Sequence, residues 1–480
     1  MGTFLKAICA AAILLAAVYF RFLYSSPFAA TWDQVDFALA LDRYDLLAMQ
    51  PHFPGYPYFI LGGMIAHIWV DNPAQALSVF NQIVVLSASI PIYFLAKQYI
   101  GALPSLMAVL LLQTNSYLSI LSAQPMSEGD AIGVLWWYLW AVYLAFNKKA
   151  IWMKLLPLFL FSILMGIRLS YAPFGLAIVF LWIKDYKESK SMKRIAAFAL
   201  AAVLFQSIWI AGLIMNEGSL AGFIKLSYGF VAGHFTSWGG AVTESGEPVW
   251  SRLYRLIVHN VVFTGMMSQS YLLIAAGAGV ILWFFMSLSR KAWIEYLNSH
   301  KLMLSLTLVY FLWNLFAQNI DKPRHSFPIT MLLLFTVYVF LAGKTKKGHA
   351  VFIMLAVLQL AVSIPLLKEQ AKSMPAVYQM AEYLEEQEKP LIVYTWEETR
   401  VLSYLSVPYD HKRYYSYPYF QKDVSYQKGK SIYLTNHLAE GFEKQGIELE
   451  GQIEKIKEFH SNPLFDPVYG DIVLYRLKER

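Results

Sequence analysis

The chain carries more uninterrupted apolar sequence than a water-soluble core can use. Several runs exceed the ~18 residues that crossing a hydrocarbon layer of ~30 Å requires, among them those at 4 to 24, 194 to 215 and 262 to 288. Over 480 residues the composition is 57% apolar and 15% charged, against about 25% charged in an ordinary soluble chain. Lipid is therefore the main solvent. The expected architecture is a polytopic α-helical membrane protein of about eleven transmembrane helices with a small C-terminal soluble α/β domain.

The remaining predicted spans lie at 76 to 97, 104 to 122, 126 to 146, 151 to 167, 169 to 183, 302 to 318, 327 to 343 and 349 to 367. The first run has a faint cleavage-like step at Phe28-Ala29-Ala30. Its apolar stretch is longer than the ~7 to 15 residues of a signal core, so an uncleaved anchor is expected. The formal charge of +7 arises from Lys and Arg concentrated in short loops between apolar runs, where they orient spans. No nucleic-acid partner is expected. Cys9, the single cysteine, allows neither an intramolecular disulfide nor a cysteine metal site.

Orientation turns on residues 55 to 70, which are apolar but short and contain His67. If they lie along the outer interface, the positive loops all fall on the cytoplasmic side. The positive residues on that side are Lys97, Lys148, Lys149, Lys154, Lys184, Lys187, Lys190, Lys193, Arg194, Arg290, Lys291, Lys301, Lys344, Lys346 and Lys347. If they span, every one flips outward. The interfacial reading places loops 25 to 75, 123 to 127, 216 to 261 and 319 to 326 outside, and it divides the chain into a transmembrane catalytic domain, 1 to 367, and an extracytoplasmic domain, 368 to 480. In the latter, Leu391 to Thr395, Ser431 to Thr435 and Asp471 to Tyr475 read as strands, alternating with helical patterns at Ala376 to Glu386 and Leu438 to Lys444. It has no Gly-rich phosphate loop, and the chain has no internal repeat.

Ionisable residues gather in the predicted outer loops. Asp33 and Asp36 share a face of a short helix, where a carboxylate near apolar surface gains basicity and serves as a general base; helix capping and solvated acids are the plainer account. Three prolines and a glycine in Gln50-Pro51-His52-Phe53-Pro54-Gly55-Tyr56-Pro57 force a fixed path that would position His52. Glu128 and Asp130 open a span, Arg168 sits at a turn, and Lys322, Arg324 and His325 form another. Charges at membrane depth are expensive and suspect as functional, although capping and mutual salt bridges also account for such groups. Arginine suits bidentate binding of phosphate. The loop 216 to 261 is long, Gly-rich and aromatic, either substrate-binding structure or a mobile connector.

These residues resemble integral-membrane glycosyltransferases of the GT-C fold, the group that includes protein O-mannosyltransferases and bacterial lipid A aminoarabinose transferases. The resemblance rests on Trp32-Asp33 with Asp36-Phe37-Ala38 and on Gln50 to Pro57, which looks like a His-Pro-Pro-Gly-Tyr-Pro signature from which Phe53 departs. Gly166-Ile167-Arg168-Leu169-Ser170 looks like a Gly-x-Arg-x-Ser turn. Arg324-His325-Ser326-Phe327-Pro328 is similar to an Arg-Tyr-x-x-Pro element with His in the Tyr position.

The resemblance implies inverting transfer of a sugar from a polyprenyl-phosphate carrier to a hydroxyl of a lipid, polymer or protein acceptor at the outer membrane face. Asp33 would be the base and Asp36 its deputy. Arg168, Arg324 and Lys322 would hold the departing phosphate, with His52 and His325 bonding phosphate or sugar. Glu128 and Asp130 would orient the acceptor or ligate a divalent cation, for which oxygen ligands are present without a diagnostic spacing. No cofactor is otherwise expected. The competing functional class is a transporter or flippase of a lipid-linked or amphipathic substrate, which needs polar groups near the bilayer midplane.

Overall fold

The computed structural model describes residues 3–344 and 349–478, so Lys346 and Lys347 lie outside the described residues. Among the described residues seven helices are long and apolar enough to cross a membrane, and two bent pairs raise this to nine. Two shorter helices, Ile151–Ile167 and Leu176–Ser189, occupy the other two predicted segments.

Two predicted spans are not single straight helices. The segment 104 to 122 is Ala102–Gln113 followed by Ser116–Ser122, bent by 58°. Asn115 causes the break: its side chain accepts from Leu118 N–H and caps the second helix. The segment 262 to 288 is broken more sharply, with 109° between Val249–Met266 and Tyr271–Met286. Ser268 and Gln269 adopt positive φ at that corner, a conformation no helix continues through. The predicted span 169 to 183 starts as a tight turn, Leu169–Gly175, before its helix begins at Leu176.

Residues 55 to 70 form the helix Pro57–His67, 11 residues long. At 1.5 Å per residue it reaches about 16 Å, half of a hydrocarbon layer. It packs on Pro73–Ser87 and on Trp32–Asp42, whose Phe37 meets Phe59 edge to face at 5.3 Å between centroids.

The last long helix, His349–Lys372, leads into a domain with a five-stranded sheet. Its strands are β1 (Leu391–Thr395), β2 (Asp410–Arg413), β3 (Ser431–Thr435), β4 (Ile453–His460) and β5 (Asp471–Leu477), in the order β2-β1-β3-β5-β4. β1 runs parallel to β2 and β3, and β5 antiparallel to β3 and β4. One hydrophobic core of this domain is shared with the membrane part. Val35 and Ala38 of Trp32–Asp42 are buried together with Val377, Ala381, Val401 and Leu402. The helix carrying both candidate acids is thus clamped between two domains.

Candidate active site

The helix Trp32–Asp42 begins at Thr31, whose hydroxyl accepts from Gln34 N–H. This cap sets Asp33 in the first turn, 33% exposed, and turns Asp36 fully inward. The two acids consequently meet different partners.

Asp33 accepts a hydrogen bond from Arg324 Nη2 at 3.1 Å, and His52 Nε2 lies 3.9 Å away. Burial alone would push its carboxyl up. The positive charges of Lys322, His52, Arg324 and Arg168 outweigh that and hold Asp33 well below the ordinary carboxylate range. Lys322 is the strongest of these influences, and its ammonium makes no ion pair of its own among the described residues.

Glu128 joins the two arginines. Its Oε1 lies 2.7 Å from Arg324 Nε and 3.0 Å from Arg168 Nη2, while Arg168 Nη1 donates to Ser127 Oγ at 2.8 Å. The turn before it is fixed by Asn81, whose amide donates to the carbonyls of Gln124 and Met126 and accepts from Asp130 N–H. Gly129 permits this approach, because a Cβ there would come within 3.1 Å of Asn81 and of the Ser122 backbone. Asp130 is buried with both carboxylate oxygens unpartnered among the described residues; it is not part of the Glu128 network.

Asp36 is fully buried between His52 and Arg400. His52 Nδ1 lies 2.9 Å from Oδ2, and Arg400 Nε donates to Oδ1 at 2.8 Å. Burial pushes the Asp36 carboxyl up against the pull of both partners. Burial lowers His52, but the Asp36 hydrogen bond and the charges of Asp33 and Asp36 act more strongly and leave the imidazole above its ordinary value. His52 Nε2 also meets the Tyr56 hydroxyl at 3.1 Å.

The Pro-rich segment around His52 is held from three sides. Tyr44 donates to the Gly55 carbonyl at 2.7 Å. Gly55 has φ +85, and a Cβ there would lie 2.5 Å from that same hydroxyl. Arg400 Nη2 donates to Met49 O at 2.9 Å, and Phe230 stacks on His52 with centroids 6.4 Å apart. Phe230 belongs to the helix Leu220–Gly233, so this part of the loop 216 to 261 is ordered cover over His52. Arg252 fixes the loop further, donating to the carbonyls of Leu315, Gly240 and Gln318.

The structure thus brings together Asp33, Asp36, His52, Glu128, Arg168, Lys322 and Arg324. His325 shares the Arg324 turn, but its Nδ1 is committed to the Asn319 carbonyl at 3.1 Å. Sequence reasoning missed Tyr56 as a site residue, although it stands in the quoted signature. It also missed Arg400 and Glu397 of the C-terminal domain. Burial raises the Glu397 carboxyl, which feels both Lys322 and Asp33. Among the described residues no group of three or more His, Cys, Asp or Glu side chains could hold a metal ion. No step below is routed through a metal ion.

No family model matches the chain, and no curated protein does. Among solved structures, ArnT from Cupriavidus metallidurans bound to undecaprenyl phosphate superposes with a TM-score of 0.59 over 97% of both chains, at 10% identity. The same protein in the apo state gives 0.56 over the same shares, also at 10% identity. The chain has the GT-C fold. Within this fold the acids and arginines come from the first helical loop and from the ends of three apolar helices, so the site sits where the membrane domain meets the sheet domain.

Proposed function

We propose that this chain is an inverting glycosyltransferase that moves a sugar from a polyprenyl-phosphate carrier to an acceptor hydroxyl at the outer membrane face. The observation that carries this reading is the chain Asp33–Arg324–Glu128–Arg168, a carboxylate base joined to a guanidinium pair, with the unpaired Lys322 beside it. The GT-C fold supports it, as does the ArnT neighbour whose structure holds undecaprenyl phosphate.

Arg168, Lys322 and Arg324 face the carboxylates of Asp33 and Glu128; Glu397 and Asp466 feel the same cations, but burial raises both of their carboxyls toward the neutral form, which favours attraction for an incoming phosphate. Arg324, Arg168 and Lys322 would grip the phosphate oxygens. The acceptor oxygen attacks the anomeric carbon as the bond from that carbon to the phosphate oxygen breaks. Its proton passes to Asp33, and the electron pair leaves on the polyprenyl phosphate, where fixed positive charge stabilises it.

Asp33 is a weak base while Arg324 and Lys322 act on it. A phosphate that engages those cations cancels part of their field, so Asp33 gains basicity when the donor is bound. Asp36 is locked to His52 and Arg400 and orients His52 toward Asp33. This makes it a positioning group and removes it from the role of deputy base.

The outward orientation rests on the 11-residue helix Pro57–His67 lying along the interface. A reporter fused after Lys149 should read as cytoplasmic. Mass spectrometry of surface glycoconjugates from cells with and without the gene tests the activity: loss of one sugar substituent is expected. Unchanged glycoconjugates, together with no release of labelled sugar from a polyprenyl-phosphate donor by the purified chain, would overturn it.

A further inference from the structure

The C-terminal domain meets the helix Trp32–Asp42 at the carboxyl ends of its parallel strands. Arg400, shortly beyond β1, holds Asp36, and Arg413, the last residue of β2, lies over Trp32. β1 stands between β2 and β3, so the chain steps from it to one neighbour and then crosses to the other. In open α/β sheets such a reversal opens a crevice outside the carboxyl ends of the strands, where ligands bind. Trp396 and Glu397 follow β1 at this edge, and Tyr415 follows β2.

Arg413 is seated among three aromatic rings. Its guanidinium carbon lies 4.4 Å from the ring centroid of Tyr415, 4.7 Å from that of Trp32 and 4.9 Å from that of Trp396. Its Nε is buried without a partner, whereas its Nη groups are not sealed from solvent. Among the described residues this guanidinium makes no ion pair and no side-chain hydrogen bond. Neighbouring cations are already matched: Lys412 pairs with Asp423, Lys430 with Asp410 and Arg400 with Asp36.

Rings hold a guanidinium through its faces, while its N–H donors point outward in the plane. The free edge is a fork that matches two oxygens of a phosphate or carboxylate. Tyr415 is 61% exposed, so its ring offers an open apolar surface beside that fork. Two observations tie the seat to the reacting groups. Trp32 immediately precedes Asp33, and Glu397 feels the charge of Arg413 as well as those of Lys322 and Asp33. Burial pushes the Glu397 carboxyl up toward its neutral form, in which it does not cancel Arg413.

We propose that Arg413 on its aromatic seat is a second anion-binding subsite, separate from the donor-phosphate cluster, which receives a phosphate or carboxylate borne on a sugar ring of the acceptor, with that ring against Tyr415. Its assignment to the acceptor rests on the glycosyltransferase reading, whereas the binding itself does not. The C-terminal domain thereby selects an acidic acceptor and holds it beside the base.

The test uses the full chain in phosphatidylcholine nanodiscs, with polyprenyl phosphate added to fill the donor cluster. Saturation-transfer NMR compares glucose 6-phosphate and methyl β-D-glucuronide with the neutral methyl β-D-glucopyranoside. At least one anionic sugar should be saturated about five-fold or more above the neutral one. Arg413→Gln should lower that signal about ten-fold, the loss expected for hydrogen bonds to a charged group. Arg413→Lys, which keeps the charge without the fork, and Tyr415→Ala, at an exposed ring, should each lower it about three-fold; these two decide the matter if Arg413→Gln does not fold. Lys322→Gln should leave it unchanged. Preference for the phosphate points to a phosphorylated sugar and preference for the glucuronide to a uronic acid, and either supports the subsite. Equal saturation of the neutral sugar, or loss of signal in Lys322→Gln, would overturn it. So would variants of Arg413 that lower only the unfolding temperature, since Arg413 would then merely join the two domains. A chain that transfers sugar yet fails this test keeps its activity and loses the subsite. One that binds the anionic sugar through Arg413 without consuming donor keeps the subsite and loses the transferase reading.

Discussion

Replacing Arg400 with Gln removes the hydrogen-bonded ion pair by which the C-terminal domain reaches the buried acid of the site. The guanidinium is 19% exposed, donates to the fully buried Asp36 at 2.8 Å and to Met49 O at 2.9 Å, and lies over Trp32 at 5.7 Å. A hydrogen bond to a charged group contributes about 1.5–3 kcal/mol, and stripping one partner from a fully buried pair costs roughly 3–5 kcal/mol. Because Arg400 is partly exposed and His52 still holds Asp36, a loss of about 2 kcal/mol is expected. Burial already raises the Asp36 carboxyl, so its ionised form is penalised above the raised value, and losing Arg400 deepens that penalty. His52 acts in the same direction. Its folded value is raised, so the stability it contributes is full below its unfolded value near 6.5 and is lost as the pH climbs through the folded one. The deficit should therefore be larger at pH 8 than at pH 5. Thermal unfolding of the full chain in nanodiscs measures it, in a cycle with Asp36→Asn. In the Asp36→Asn background the Arg400→Gln deficit should shrink by more than half. An undiminished deficit there, or one equal at both pH values, would refute the coupling.

Glu128→Gln leaves Arg168 and Arg324 facing each other without their shared counter-charge; a loss of roughly 3 kcal/mol and a strong fall in sugar transfer are expected from unfolding and turnover measurements. Gly129→Ala presses a methyl group onto Asn81 and the Ser122 backbone and should cost about 1–3 kcal/mol, read as a lower unfolding temperature with donor binding partly retained. Arg324→Lys cannot span both Asp33 and Glu128 with one planar fork, so kcat should fall about 10–100-fold, equivalent to roughly 1.4–2.7 kcal/mol. The lowered Asp33 carboxyl adds stability present above its unfolded value and lost as the pH falls through the folded one. Turnover of donor-saturated protein should show its acidic limb at higher pH than a titration of Asp33 in the donor-free chain.

The membrane domain could be read in the sequence because lipid demands long apolar runs. The runs concealed the breaks. Asn115 and Ser268 lie inside otherwise apolar stretches, and a hydropathy pattern averages over the one residue that caps or turns a helix. In the C-terminal domain the recognised strands, β1, β3 and β5, are the inner three of the sheet. The missed ones, β2 and β4, are edges, where charged residues are favoured because they block further pairing. β4 also spaces Ile453 and Ile456 three apart, which reads as helical period. Asp33, His52, Arg168 and Arg324, which the structure brings together, stand out in the sequence because charge is conspicuous beside lipid. Arg400 does not, since it sits 364 residues from Asp36 in a domain where a charged residue is unremarkable.

The most direct measurement is single-turnover transfer from a labelled polyprenyl-phosphate sugar by the purified chain and by its nearly isosteric Asp33→Asn variant. The account predicts that the variant folds, binds the donor at least as tightly, since a negative charge beside Arg324 has been removed, and transfers no sugar. Normal turnover by Asp33→Asn would contradict it.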